Sequence, residues 1–288
     1  MSDRMKKRMM KMFTGLKDSV KAAIYTVLVL ALGLGCSYIP GISGFFYMLT
    51  PALAVLIMML VVTRDGYSRK GWAALGLKKL PGWRGAFFAL LIPLIPLAVG
   101  SGIVWALGWS KLDIPADFQG IPWKAFPAVI VLVYVKSVCV ESMGEELGWR
   151  GYLLPRMLGM GTKKAMLLNG LIHGLWHFPV ILNTTEYHSN ENLWLLLPLA
   201  LASTVFLAPV IGELRLRTGS VWAASMLHTS HNLFWMILST VLAEQSQAAK
   251  YIAGDMSVVV VLFYAGLTLY LWKRRTPGTR GAESGKAA

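Results

Sequence analysis

The sequence predicts an all-α fold: a polytopic membrane bundle of about eight transmembrane helices with both termini cytoplasmic. Three observations carry that expectation. Hydrophobic residues make up 56% of the 288-residue chain and charged residues only 15%, against roughly 25% charged in soluble domains. The apolar residues gather in runs of about twenty, the length a helix needs to cross roughly 30 Å of hydrocarbon. The basic residues then fall in alternate connections between those runs. Short segments of alternating hydrophobicity, which build a membrane β-barrel, are not visible.

Taken in order, the runs cover approximately 22–40, 45–63, 85–108, 127–154, 165–183, 192–212, 220–243 and 255–272, each bounded by charge or turn residues. Ahead of the first lies a basic segment, 1–21. In it Met5, Met9, Phe13, Leu16 and Val20 recur at helical spacing among lysines, the pattern of a helix lying on an anionic membrane surface. A disordered basic lead-in that only fixes topology fits equally well. The segment resembles a signal peptide, but the apolar run continues through Gly35, Cys36, Ser37 and Tyr38 without a convincing cleavage site, so the first span is read as retained. The membrane domain is thus 22–272, and the basic tail 273–288, rich in Gly, Pro and Ala, is expected to be disordered.

A net charge of +14 would suggest nucleic acid in a soluble protein, so the placement of the 28 Lys and Arg decides its meaning. With the N-terminus inside, the inner connections hold seven basic residues before Ala22, six in 64–84, four in 150–164, two in 213–219 and five after Trp272, 24 in all. The outer connections hold only Lys111, Lys124 and Lys250. Lys136 lies in a span near its outer boundary, where snorkelling accounts for it. The charge is therefore an orientation signal. The expected partners are the lipid bilayer and a membrane-associated protein or peptide, with no nucleic acid, and the expected location is the cell membrane, multi-pass. Cys36 and Cys139 are too few for a disulfide scaffold or a four-cysteine metal site, and both sit in apolar stretches as small hydrophobes.

Polar groups inside a span cost on the order of 2.5 to 3.5 kcal/mol each, so a cluster of them demands a reason. The fourth run holds Glu141, Glu145, Glu146 and Arg150. Glu146 and Arg150, four apart on a helix, can pair, while Glu145 points about 100° away and stays free for chemistry. Carboxylates solvated at a helix end are the alternative. The fifth run places His173 and His177 on one face, and interhelical hydrogen bonding is the plain explanation for His173. Gly170 and Gly174 form a GxxxG, best read as close helix packing. The seventh run holds His228 and Asn232 on one face with His231 beside them. Four of the five histidines thus lie in two spans. At about 1.5 Å per residue, Glu145, His177, His228 and Asn232 all lie roughly 16 to 22 Å in from the basic residues at their helix ends, so they can form one site.

A carboxylate and an imidazole can activate a water, and a second imidazole with an amide NH2 can stabilise a tetrahedral oxyanion. That combination suits amide hydrolysis without a covalent intermediate. No GxSxG, HExxH or phosphate loop competes with it.

The segment Glu145-Glu146-Leu147-Gly148-Trp149-Arg150 resembles the EExxxR motif of the CPBP family, intramembrane proteases that include type II CAAX prenyl endopeptidases and bacterial Abi-type proteins. The segment ending at His177 is similar to the family's FxxxH motif, and His228 through Asn232 matches HxxxN. The resemblance covers about 125–240. It implies an eight-helix bundle with a glutamate protease site open toward the cytoplasmic leaflet. It also implies that Glu145 and His177 activate water, that His228 and Asn232 form the oxyanion hole, and that Glu146 and Arg150 hold the site in shape.

The departure is His173, which stands where FxxxH has phenylalanine. With Glu141 and His231 it gives more ligand-capable groups than the motifs need. No cofactor is expected to be required. Zinc is kept as a less favoured reading, with His177, His228 and Glu145 as its ligands. Two other uses of the pocket stay open: capture of a bacteriocin-like peptide by a non-catalytic immunity protein, and proton relay in a transporter.

Overall fold

The computed structural model describes residues 15–185, 187–188 and 191–274. Most of the basic lead-in, with Met5, Met9 and Phe13, and the tail from residue 275 lie outside them. Twelve helical elements are used below: α1 (Asp18–Ser37), α2 (Gly44–Val62), α3 (Arg69–Ala74), α4 (Trp83–Ala106), α5 (Phe126–Cys139), α6 (Glu141–Glu146), α7 (Leu154–Met157), α8 (Thr162–Asn183), α9 (Leu193–Thr218), α10 (Val221–Val241), α11 (Ala248–Ala253) and α12 (Val258–Arg274). A π-helical turn, Leu147–Leu153, joins α6 to α7. Four short strands complete the fold: β1 (Ser110–Leu112), β2 (Asp117–Phe118), β3 (Ile121–Pro122) and β4 (Leu242–Glu244). β2 and β3 form a tight antiparallel pair, and β1 pairs antiparallel with β4, Lys111 opposite Ala243.

Among the described residues seven helices are long and apolar enough to cross a membrane, with α5 through Met160 counted as one and α11 with α12 as another. The protein is a multi-pass membrane protein. The remaining expected span folds as the 21-residue helix α10, but it is not one of the seven. Its centre carries His228, Thr229, Ser230, His231 and Asn232, which lower its mean hydropathy. The bundle accommodates that polar centre by enclosing it: α10 packs on α4, α9, α5 and α6, and Leu227 through His231 are buried. The other helices turn apolar side chains outward, Val27 at 71% and Trp194 at 90% exposure, as a lipid-facing surface requires.

Two apolar clusters fill the interior. One joins α1, α2, α8 and the π turn through Tyr25, Met58, Trp149, Tyr152 and Trp176, and the other joins α4, α9, α10 and α12 through Leu97, Ile211, Leu227 and Tyr264. Gly170 and Gly174 let α8 lie directly on α9. A Cβ on the first would sit 2.7 Å from the Thr204 carbonyl oxygen, and one on the second 2.4 Å from Thr204 Oγ1.

The connections sort to two ends. At the basic end Asp65 meets Lys21 at 3.7 Å and Arg156 at 3.4 Å, Trp222 donates to the Leu77 carbonyl, and Arg215 reaches the Ala74 carbonyl. At the hairpin end β1 pairs with β4, Asn183 donates to Ser37, and the Asn192 amide donates to Tyr251. The connections rich in Lys and Arg therefore meet one another at a single end.

Candidate active site

The site is built on an irregular stretch of chain. α5 ends at Val140, whose backbone (φ −123°, ψ −74°) breaks the helix before α6. The π turn follows, a device that widens a helix by one residue and is frequent at functional sites. Pro155 has no N–H to give to the Gly151 carbonyl, which favours an irregular turn ahead of it. Gly148 allows the turn to press on α1 and α2, since a Cβ there would lie 2.2 Å from Tyr25 Oη and 2.6 Å from Pro51 Cβ.

From this turn and the helices around it two linked halves assemble. In the first, Glu145 is 2% exposed. Its Oε2 lies 2.9 Å from His173 Nε2 and accepts from Trp149 Nε1 at 3.4 Å. The His173 ring stacks on Trp149, centroids 4.9 Å apart, and Asn169 holds Trp149 by its carbonyl at 3.0 Å. His177, half-buried, sets its Nδ1 3.1 Å from the His173 carbonyl oxygen. In the second half Glu146 Oε1 accepts from Arg150 Nη1 at 2.9 Å and faces His228 Nδ1 at 2.9 Å. The His173 and His228 rings, 6.3 Å apart, join the halves. Asn232 lies one turn beyond His228 and is half-buried. Thr229 donating to Ser142, and Ser225 to the Val138 carbonyl, fasten α10 to α5 and α6.

The Glu146–Arg150 pair anticipated from spacing is thus present and fully buried. The imidazole in contact with Glu145, however, is His173, one turn before His177. Glu145, His173 and His177 each offer a ligand atom within 4.8 Å of the other two. These are the residues placed to hold a metal, with His173 in the place where the sequence suggested His228. Glu141 instead pairs with Lys136, and His231 turns to Tyr264 and the Asp255 carbonyl, so neither joins the cluster. Trp149 is the contact sequence reasoning missed, although it stands inside the EExxxR segment.

A second ionisable cluster, which the sequence did not signal, lies at the hairpin end. His188 Nδ1 is 2.8 Å from Glu191 and Nε2 is 3.1 Å from Asp255, while Tyr187 donates to Asp255 and the His188 ring stacks on Trp235. Burial would lower the His188 pKa, but the charges of Asp255 and Glu191 outweigh it and raise the value to about 10. These contacts hold His188 in the left-handed region, φ 55°, which costs a non-glycine residue of order 1 kcal/mol.

The fold and the first cluster define a multi-pass membrane protein with a buried glutamate and histidine site. Across residues 122–234 the chain carries a domain of the type II CAAX prenyl endopeptidase Rce1-like family, a protease family. That range includes Glu145, Glu146, Arg150, His173, His177, His228 and Asn232. No curated protein matches the chain.

Proposed function

We propose that the protein is an intramembrane endopeptidase that hydrolyses a peptide bond in a membrane-associated or lipidated protein or peptide, entering from the basic end, which faces the cytoplasm. The observation that supports it most is the carboxylate of Glu145, enclosed in the bundle with an imidazole and an indole as its hydrogen-bond partners among the described residues, in a domain of a protease family.

Glu145 takes a proton from a water held between it and His177, and the hydroxide attacks the carbonyl carbon. The proton passes on to the leaving amine, so no covalent acyl intermediate forms and no cofactor is required. His228 and Asn232 donate to the oxyanion. Because Nδ1 of His228 faces Glu146, only its Nε2 is left for that role, and an imidazole that donates from both nitrogens is an imidazolium. The Glu146 carboxylate beside it is shared with Arg150, so the three groups together keep one positive charge, which favours the oxyanion.

The test is cleavage of prenylated and unmodified peptides by purified protein, with the membrane peptidome of cells carrying parent or variant used to find candidates. Glu145→Gln and His177→Ala are expected to lose activity by about 10²- to 10⁴-fold, the usual weight of a general base. Undiminished cleavage by both removes the assignment. Peptide capture that survives Glu145→Gln, without cleavage by the parent, replaces the enzyme with a binding protein.

A further inference from the structure

We propose that Glu145, His173 and His177 bind one zinc-class divalent cation, and that its occupancy shuts off hydrolysis by engaging the carboxylate that activates water. The second half rests on the proposed function; the first half does not.

The donor set carries the argument. One carboxylate and two imidazoles, with ligand atoms within 4.8 Å of one another, are the three protein ligands of an open zinc site. Nitrogen-rich donors of this kind select zinc over magnesium or calcium. His173 and His177 stand four apart on α8, one above the other. His177 engages the His173 carbonyl through Nδ1 at 3.1 Å, the outer contact that fixes a metal-binding tautomer and leaves Nε2 free. His173 is held flat against Trp149, and its Nε2 already lies 2.9 Å from Glu145 Oε2. Two ligands on one tetrahedral zinc are about 3.3 Å apart, so the Glu145–His173 pair needs a shift of only a few tenths of an ångström, while ligand atoms separated by up to 4.8 Å must close by up to about 1.5 Å. The neighbouring Glu146 is matched by Arg150, which leaves the Glu145 charge to meet the cation.

His173 is the discriminating residue. Phenylalanine there, as in the motif this segment resembles, leaves two ligands and no site. Zinc competes with catalysis because it takes the lone pairs of Glu145 and His177 that would receive and orient the water.

The experiment titrates purified protein with cobalt(II), followed by visible absorption, and with zinc, followed by calorimetry and metal content. The parent is expected to bind one ion with a tetrahedral-type cobalt spectrum. His173→Phe and Glu145→Gln should each weaken binding by about 100-fold or more, as loss of one of three ligands implies. His173→Asn is the second variant if His173→Phe fails to fold, with gel filtration and thermal melting as the check. His188→Ala, which removes the other histidine and carboxylate cluster, should bind as the parent does. A parent that binds no ion, or a folded His173 variant that binds as tightly as the parent, overturns the site. In the cleavage assay zinc should inhibit the parent over the concentration range in which it binds, reversibly by chelator. Binding without inhibition, or cleavage that needs zinc, overturns the second half. Zinc bound but no peptide cleaved removes the hydrolase reading and the inhibition with it, and leaves the site standing.

Discussion

Two ionisable clusters are buried in this bundle, and they are finished differently. At the hairpin end His188 lies between Glu191 and Asp255, and Tyr187 takes the other Asp255 oxygen. Each charge there faces an opposite charge or a hydroxyl, on a loop bent into a costly backbone conformation. In the Rce1-like domain Glu146 Oε2, Arg150 Nε and Nη2, and His173 Nδ1 are buried with no hydrogen-bond partner. Each such atom costs about 1 to 3 kcal/mol. A cluster whose task is to fasten a loop sets each charge against an opposite one, as His188 Nε2 and Asp255 Oδ1 do at 3.1 Å, although without hydrogen-bond geometry. One whose task is to meet a substrate keeps some donors and acceptors in reserve and relies on packing to hold them.

That contrast is open to measurement. The largest effect after removal of Glu145 itself should come from the oxyanion side: His228→Ala or Asn232→Ala should lower cleavage by about 10²- to 10³-fold while the fold survives. Thermal melting and cleavage rates measured together check it, and a loss that merely follows unfolding would place these residues with the fasteners. Next is the buried pair. Arg150→Met strands Glu146 and should destabilise the protein by about 3 to 5 kcal/mol, whereas the double variant with Glu146→Gln should recover part of the loss. Denaturation of the four proteins closes the cycle, and strict additivity would mean that the pair does no joint structural work.

The smallest effect is at the hairpin end. The His188 pKa is raised from 6.5 to about 10, so its contribution is fully present below pH 6.5 and is lost as the pH rises through about 10. Proteolysis of the 184–192 loop should be slower in the parent than in His188→Ala at pH 7, with the two rates converging near pH 10. A constant ratio up to pH 11 would show that the histidine charge does not hold the loop.

Much of this architecture was legible because a membrane makes composition speak plainly. Apolar runs outlined the helices, and the GxxxG of α8 proved to be a backbone contact with α9. Of the polar residues expected at similar depth, Glu145, His177 and His228 fall in one linked cluster, as a nearly constant helical rise allows. What was not legible depends on how helices rotate. The choice of His173 over His177 as the contact of Glu145 follows from the π turn and from Trp149 filling the space beside His173, and neither has a signature in spacing alone. The His188 cluster joins a loop, α10 and the turn between α11 and α12, a conjunction set by tertiary packing. The polar centre of α10 was read as a span like the others, yet it is the helix the bundle has to enclose.

The π turn has one more consequence, for the phase of the helix that carries it. Upstream, Glu145 and Glu146 must face α8 and α10. Downstream, Arg156 must reach Asp65 at 3.4 Å and cover the Tyr152 ring at 3.5 Å. The wide turn lets one continuous segment satisfy both directions. Forcing the same residues of Leu147–Leu153 into ordinary helical winding would rotate one half against the other by about 100°, so that either the carboxylates or the anchor at the basic end would point the wrong way. The motif is therefore a phase-matching joint as much as a set of side chains, and its two halves can be transplanted only together.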